Sequence, residues 1–379
     1  MSKDLILVIF SLMTWGIGEG MFLFFQAPYL EQLGADPLEI GRILGLVSTA
    51  MAITHLPAGY LSDRFGRRPM IYAAWTVGVV AAWVMALSTS LTVFVAGAVM
   101  YGFTGFVMTP LNSYITAARG TQSVGRALTL ISATFSFGAI IGPWLGGEIG
   151  ERFGLRTNFL VAACFFVAST LIILFIKPQP VEAVEEQSSS LPAYSWINAR
   201  FVLFLGLIFL SVFSMMLPQP FSQLFLLNER DISLNELGRL ISLSSLGVVL
   251  LNLTLGKLNP RIGFLIAQAA MAAFAFILFR TNHILWFSVG YFFLGSYRTA
   301  RSLATAQGRE LVQAAHMGVA YGLIETVGSF ANILAPIAAS MLYNIQPSSV
   351  YSVSFIAILI SLGLMLFFSP LRSSKPLWN

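Results

Sequence analysis

Residues 59–68 read Gly59-Tyr60-Leu61-Ser62-Asp63-Arg64-Phe65-Gly66-Arg67-Arg68, and residues 256–263 read Gly256-Lys257-Leu258-Asn259-Pro260-Arg261-Ile262-Gly263. The stretches lie 197 positions apart (59 to 256), and Gly, Leu, Arg and Gly coincide in them. Each is a short basic link between two long apolar runs. At the same spacing Gly41-Arg42 meets Gly238-Arg239, and Gln26 meets Gln223. Farther on the spacing becomes 193 (125 to 318). There Gly125, Leu130, Ile131, Ser136, Phe137 and Pro143 meet Gly318, Leu323, Ile324, Ser329, Phe330 and Pro336. A small deletion in a loop accounts for the change, so the chain reads as a duplication.

The apolar runs between these links fill the chain. Of 379 residues, 57% are hydrophobic and 10% charged, against about 25% charged in a soluble domain. The mean hydropathy is +0.80. These values exclude a soluble enzyme, a disordered chain and a secreted disulfide scaffold; the single Cys164 cannot form an internal disulfide. A membrane-crossing helix takes about 20 apolar residues. The runs predict spans at 5–30, 38–58, 70–88, 91–117, 125–147 and 157–177, then 201–228, 235–256, 262–280, 284–306, 317–343 and 349–369. The first is too long for a signal peptide and reads as a span. The expected fold is all-α, with twelve transmembrane helices in two pseudo-repeated six-helix bundles, residues 1–177 and 201–379. Residues 178–200, with Pro178, Pro180, Glu182, Glu185, Glu186 and three serines, read as a cytoplasmic linker.

Basic residues set the orientation. Lys3, Arg64, Arg67, Arg68, Arg119, Arg126, Lys257 and Arg261 fall on one side with both termini, while Arg152 and Arg156 share a loop on the other. Both termini are therefore expected in the cytoplasm, in a multi-pass protein of the plasma (inner) membrane. The net charge of +5 reads as a topology signal, not as a nucleic-acid surface. Duplicated halves of this kind build a rocking transporter with its site between the repeats. One chain holds both halves of such a site, so a monomer is expected.

The stretch from Gly59 to Arg68 resembles the loop signature between the second and third spans of the major facilitator superfamily, and the resemblance extends over the chain through the six-plus-six repeat. It implies that Asp63 and Arg64, with Gly59, Gly66, Arg67 and Arg68, form a cytoplasmic gate latching the halves in the outward-facing state. Gly138-Ala139-Ile140-Ile141-Gly142-Pro143-Trp144-Leu145-Gly146-Gly147 resembles the fifth-span signature of that family's antiporters, in the drug/proton efflux branch. There Gly138, Gly142, Pro143, Gly146 and Gly147 are implied to form a hinge that favours exchange. Glycines four apart let helices approach closely. The second half keeps only Ala335-Pro336 of this pattern. One departure stands out: where proton-coupled members often carry an Arg, four residues before a Gly of the fourth span, this chain has Ala98 before Gly102.

Charges within spans are costly, about 2.5–3.5 kcal/mol each at a span centre, and face cavities or partners. Four stand out: Glu19, Arg298, Arg301 and Glu325. Glu19 shares a helical face with Trp15, Phe22 and Gln26, an aromatic and amide setting suited to a cationic or amphipathic ligand. A carboxyl in such a setting is a candidate proton carrier. Glu325 lies on a polar stripe with Gly318, Gly322, Ser329, Asn332 and Pro336. Arg298 and Arg301, three apart, either pair with Glu325, hold an anionic headgroup, or snorkel to the interface. Pro218 and Pro220 break the seventh span beside Gln219 and Gln223. His55, His283 and His316 lack ligand spacing, so no metal is expected, and the nucleotide-binding glycine loop is missing. The leading expectation is proton-coupled export of amphipathic small molecules, with no cofactor beyond the proton. The alternatives are a carrier of anionic amphiphiles or lipids using Arg298 and Arg301, and a non-transporting membrane receptor or scaffold. No nucleophile with its base accompanies the carboxylates, so an enzyme is not expected.

Overall fold

The computed structural model describes residues 2–179, 199–309, 311 and 317–368. Residues 180–198, most of the expected linker, lie outside the described residues, as do the side chains of residues 55–63, Asp63 among them. The first half is built from α1 (Lys3–Leu23), α2 (Gln26–Gln32), α3 (Pro37–Phe65), α4 (Arg67–Leu87), α5 (Leu91–Gly102), α6 (Met108–Ala118), α7 (Val124–Phe153) and α8 (Leu155–Ile173). The second comprises α9 (Ala199–Met216), α10 (Ser222–Glu229), α11 (Leu234–Leu255), α12 (Pro260–Arg280), α13 (Ile284–Leu294), α14 (Ser296–Arg309), α15 (Met317–Ile345) and α16 (Ser349–Phe368). The described residues contain no strand.

Ten helices are each long and apolar enough to cross a membrane, and α5 with α6, bent by 43°, makes an eleventh. The pair α13–α14 holds the repeat-related place of the twelfth. Its second helix is too polar to register by hydropathy, because it carries Arg298, Arg301 and Arg309. Large apolar side chains such as Phe10, Trp144, Phe276 and Phe367 are exposed, as lipid-facing surfaces require. Backbone groups are satisfied within helices, the condition for crossing hydrocarbon.

The repeat extends to the helix breaks. Span 1 breaks between α1 and α2 at Phe24-Phe25, and span 7 between α9 and α10 over residues 217–221, which include Pro218 and Pro220. Prolines account for both: Pro218 and Pro220 lie in the second break, and Pro28 of α2 has no N–H to give the Phe24 carbonyl four residues before it. Spans 4 and 10 break at Gly102 and Gly295. A β-carbon on Gly102 would lie 2.8 Å from the Val47 carbonyl oxygen of α3, and one on Gly295 2.4 Å from the Val248 nitrogen of α11. Both breaks therefore sit where one backbone rests on another.

Each half packs around buried polar clusters. In the first, the Trp75 Nε1–H donates to Ser11 Oγ (3.0 Å) and Ser169 Oγ (2.9 Å). In the second, Gln268 Nε2 donates to Ser361 Oγ at 3.1 Å. Between the halves the principal contacts are α7 with α11 and α3 with α15. These contacts gather at the end away from the termini. Gly238 abuts the Pro143 carbonyl and Gly41 the Pro336 carbonyl, with added β-carbons at 2.4 Å and 2.7 Å. Three carboxylates of the first half add hydrogen bonds there. Glu31 accepts from Asn228 Nδ2 (2.8 Å), Glu151 from the Leu234 N–H (2.8 Å) and Glu148 from Asn235 Nδ2. Toward the termini the halves part: α6 makes its principal contacts within the first half and α14 within the second.

Candidate functional site

Below the sealed end lies a cavity of about 300 Å³ between the halves. The first half lines it with Gly16, Glu19, Gly20, Leu23, Phe24, Ser48, Phe135, Ser136 and Ala139. The second contributes Met216, Gln219, Ser244, Ser245, Val248, Leu294, Tyr297, Arg298 and Asn332. Nine of the eighteen lining residues are polar, Glu19 and Arg298 carrying charge, and Leu23, Phe24, Phe135, Met216, Val248 and Leu294 supply the apolar surface of a small-molecule pocket.

The glycine pattern of α7 explains how Glu19 reaches this cavity. Added β-carbons would lie 2.4 Å from the Met13 carbonyl oxygen (Gly138), 2.3 Å from that of Ile17 (Gly142) and 3.1 Å from Met21 Cα (Gly146). Gly16 and Gly20 of α1 complete the seam against Phe135 and Pro143. Here α1 lies backbone to backbone on α7, with Glu19 between its two glycines. Gly147, last of the pattern, meets Gly238 of α11 across the sealed end. One short motif thus fixes both the carboxylate and the closure between halves.

Glu19 is half-buried. Tyr101 and Trp15 are its polar neighbours in the first half, and the Arg298 charge acts on it from the opposite half. Trp15, Phe22 and Gln26, expected on one face with Glu19, do not line this cavity. All three are buried. Trp15 packs on Trp75 and Phe166, with ring centroids 4.9 and 4.5 Å away, and Phe22 on Tyr101 at 4.7 Å. The reason is helical geometry. At about 100° per residue, Glu19 stands roughly 40° around α1 from Trp15, toward Gly16, Gly20 and Leu23. Glu19 lies on the border of the face that Trp15, Phe22 and Gln26 bury in their own bundle.

In the second half Arg301 forms an ion pair with Glu325. A β-carbon on Gly328 would lie 3.0 Å from the Arg301 guanidinium, so the glycine makes room for it. Tyr297 is within hydrogen-bonding reach of Arg301 and donates its hydroxyl to Asn332 Oδ1 at 2.5 Å. Arg298 and Asn332 line the cavity, whereas Arg301 and Glu325 are not among its lining residues. Arg298 is exposed to it and, among the described residues, has no carboxylate within ion-pair distance. Gln219 was already marked by the prolines beside it, whereas Tyr101, Tyr297, Ser244 and Ser245 carry no charge and were not singled out in the sequence. Uncharged polar residues inside spans were the signal that would have found them.

Of the gate residues, Gly66 takes φ 85° and joins α3 to α4 without a loop, a conformation glycine adopts freely. Arg68 Nε donates to the Tyr72 hydroxyl (2.7 Å), which donates to the Leu174 carbonyl (2.8 Å). Arg64 lies 5.7 Å from the Phe65 ring centroid, and Arg67 opens α4. Arg68 is thus engaged within the first half, at the end where the halves stand apart.

The family model described as Major Facilitator Superfamily matches residues 5–218 and again 203–378. The chain is 21% identical over 378 residues to multidrug resistance protein 2 of Bacillus subtilis, covering 95% of this chain and 93% of that one. It is 28% identical over 252 residues to the multi-drug resistance efflux pump PmrA of Streptococcus pneumoniae, 63% of this chain and 62% of the pump. Among solved structures, a mutant of the nucleoside transporter NupG superposes with a TM-score of 0.84 at 15% identity, over 96% of this chain and 99% of that one. The D-xylose-proton symporter does so with a TM-score of 0.77 at 14% identity, over the whole of both. At such identities these structures speak for the fold alone, while the family match spans the chain. The protein is an integral, multi-pass membrane transporter of the Major Facilitator Superfamily and not an enzyme.

Proposed function

We propose that this transporter exports amphipathic small organic molecules in exchange for protons, with Glu19 carrying the proton. The observation that carries the reading is the α1–α7 seam, which sets Glu19 in the cavity and ends at Gly147 on the closed face. A change of protonation at Glu19 alters charge on the cavity wall of the helix pair α1–α7, whose far end at Gly147 meets α11 of the opposite half. Efflux relatives at 21% and 28% identity support the direction of transport. With the termini in the cytoplasm of a plasma (inner) membrane, the state described is open inward. The monomer then alternates by rocking residues 1–177 against 201–379 about the linker 178–200. Asp63, Arg64 and the neighbouring gate residues close the cytoplasmic end in the opposite state.

Arg298 favours a second reading. It faces the cavity without an ion-pair partner among the described residues, as a carrier of anionic amphiphiles would need. Arg301, held by Glu325, is less available for that task. Dye accumulation in cells separates export from its alternatives. Cells producing the protein are expected to hold several-fold less ethidium than controls, and a protonophore to abolish the difference. Equal accumulation with and without the protein, across cationic and anionic dyes, would count against export.

A further inference from the structure

The cavity presents two opposite charges on two different walls. Glu19 stands on α1 of the first half and Arg298 on α14 of the second, and both line the same space of about 300 Å³. The other charged pair nearby, Arg301 with Glu325, neutralises itself. A ligand of a single charge is attracted by one wall and repelled by the other. Its arrival also leaves one protein charge uncompensated in a setting of low dielectric, where unpaired charges are most costly. A ligand with an ammonium at one end and a carboxylate or phosphate at the other satisfies both walls at once.

We infer that the preferred substrate is zwitterionic: its cationic group faces Glu19, its anionic group faces Arg298, and its apolar body rests on Leu23, Phe24 and Val248. This deepens the proposed function and rests on the cavity being the substrate site. Spanning both walls, such a ligand ties one bundle to the other, and occupancy thereby favours closure. Its release lets Glu19 and Arg298 compensate one another, or lets Glu19 take up a proton.

Four probes sharing one apolar body test this. They are naphthylalanine (zwitterion), naphthylethylamine (cation), naphthylpropionate (anion) and naphthylpropionamide (neutral). Binding is measured by equilibrium dialysis against the full chain in nanodiscs, with empty nanodiscs subtracted. Naphthylalanine is expected to bind at least tenfold tighter than any of the other three. Arg298→Gln is expected to move the preference to the cation, Glu19→Gln to the anion, and Arg298→Lys to keep the original order. A melting temperature within a few degrees of wild type establishes that each variant is folded. Tightest binding of the cation by wild type, a ranking indifferent to Arg298→Gln, or no binding of any probe would overturn the inference. Dialysis needs no proton gradient. Loss of proton-coupled export alone would therefore leave the charge ranking standing, and loss of the ranking alone would leave export standing.

Discussion

The seam between α1 and α7 and its repeat-related partner between α9 and α15 descend from one pattern and have parted in chemistry. In the first, Gly16 and Gly20 face Gly138, Gly142 and Gly146, and backbone rests on backbone. In the second the same positions hold Phe213, Leu217, Ala331, Ala335 and Ala339, so side chains stand between the helices. Charge has parted in the same way. Glu19 corresponds to Met216, and Arg298 to Gly105. The duplication preserves the breaks at Gly102 and Gly295 and the seals at Gly41 and Gly238, whereas the carboxylate lining the cavity comes from the first half and the arginine lining it from the second. A shared backbone supplies the motion, and the divergence supplies the site.

The largest test of this contrast is to crowd the tight seam. Gly142→Leu puts a side chain where a β-carbon already meets the Ile17 carbonyl at 2.3 Å. It is expected to abolish transport and to destabilise by about 3 kcal/mol, the upper end for overpacking, read as a fall in melting temperature in detergent. The converse change in the other seam, Ala335→Gly, is expected to cost only about 1 kcal/mol. Equal losses from the two would erase the distinction.

A smaller effect is expected at the seal. Gly238→Leu crowds the Pro143 carbonyl and Gly147, and should shift the population toward the state open away from the termini. Labelling of Gln219→Cys by an impermeant maleimide from that side should rise several-fold. Asn235→Ala and Asn228→Ala remove single hydrogen bonds to Glu148 and Glu31. Each should act in the same direction by about 1 kcal/mol. The smallest effect is expected at Arg301 and Glu325. Glu325 is half exposed, and removal of either partner should change stability by no more than about 1 kcal/mol. A larger loss, repaired in the double variant, would make that pair a principal tie between α14 and α15 within the second half.

Much of this architecture was legible in the sequence. The loop from Gly59 to Arg68 and its echo at Gly256 gave the duplication, and Pro218 with Pro220 gave the break in span 7. The break at Phe24-Phe25 was legible only through Pro28, four residues on, which leaves the Phe24 carbonyl without its helical partner. The site was legible as a set of charges and not as an arrangement. Helical spacing grouped Glu19 with Trp15 and Phe22, yet a rotation of roughly 40° decides which faces the cavity and which the core. Spacing left open which arginine Glu325 takes, and could not bring Arg298 opposite Glu19, because that juxtaposition depends on two bundles meeting.

The central claim is that the carboxylate on the tight seam carries the exchanged proton. Proton movement on substrate addition, followed with a pH-sensitive dye in proteoliposomes, tests it most directly in wild type and Glu19→Gln side by side. Substrate-driven proton release by wild type and at least a tenfold loss in the folded variant are expected. Undiminished proton movement in Glu19→Gln would contradict the assignment of the proton to Glu19.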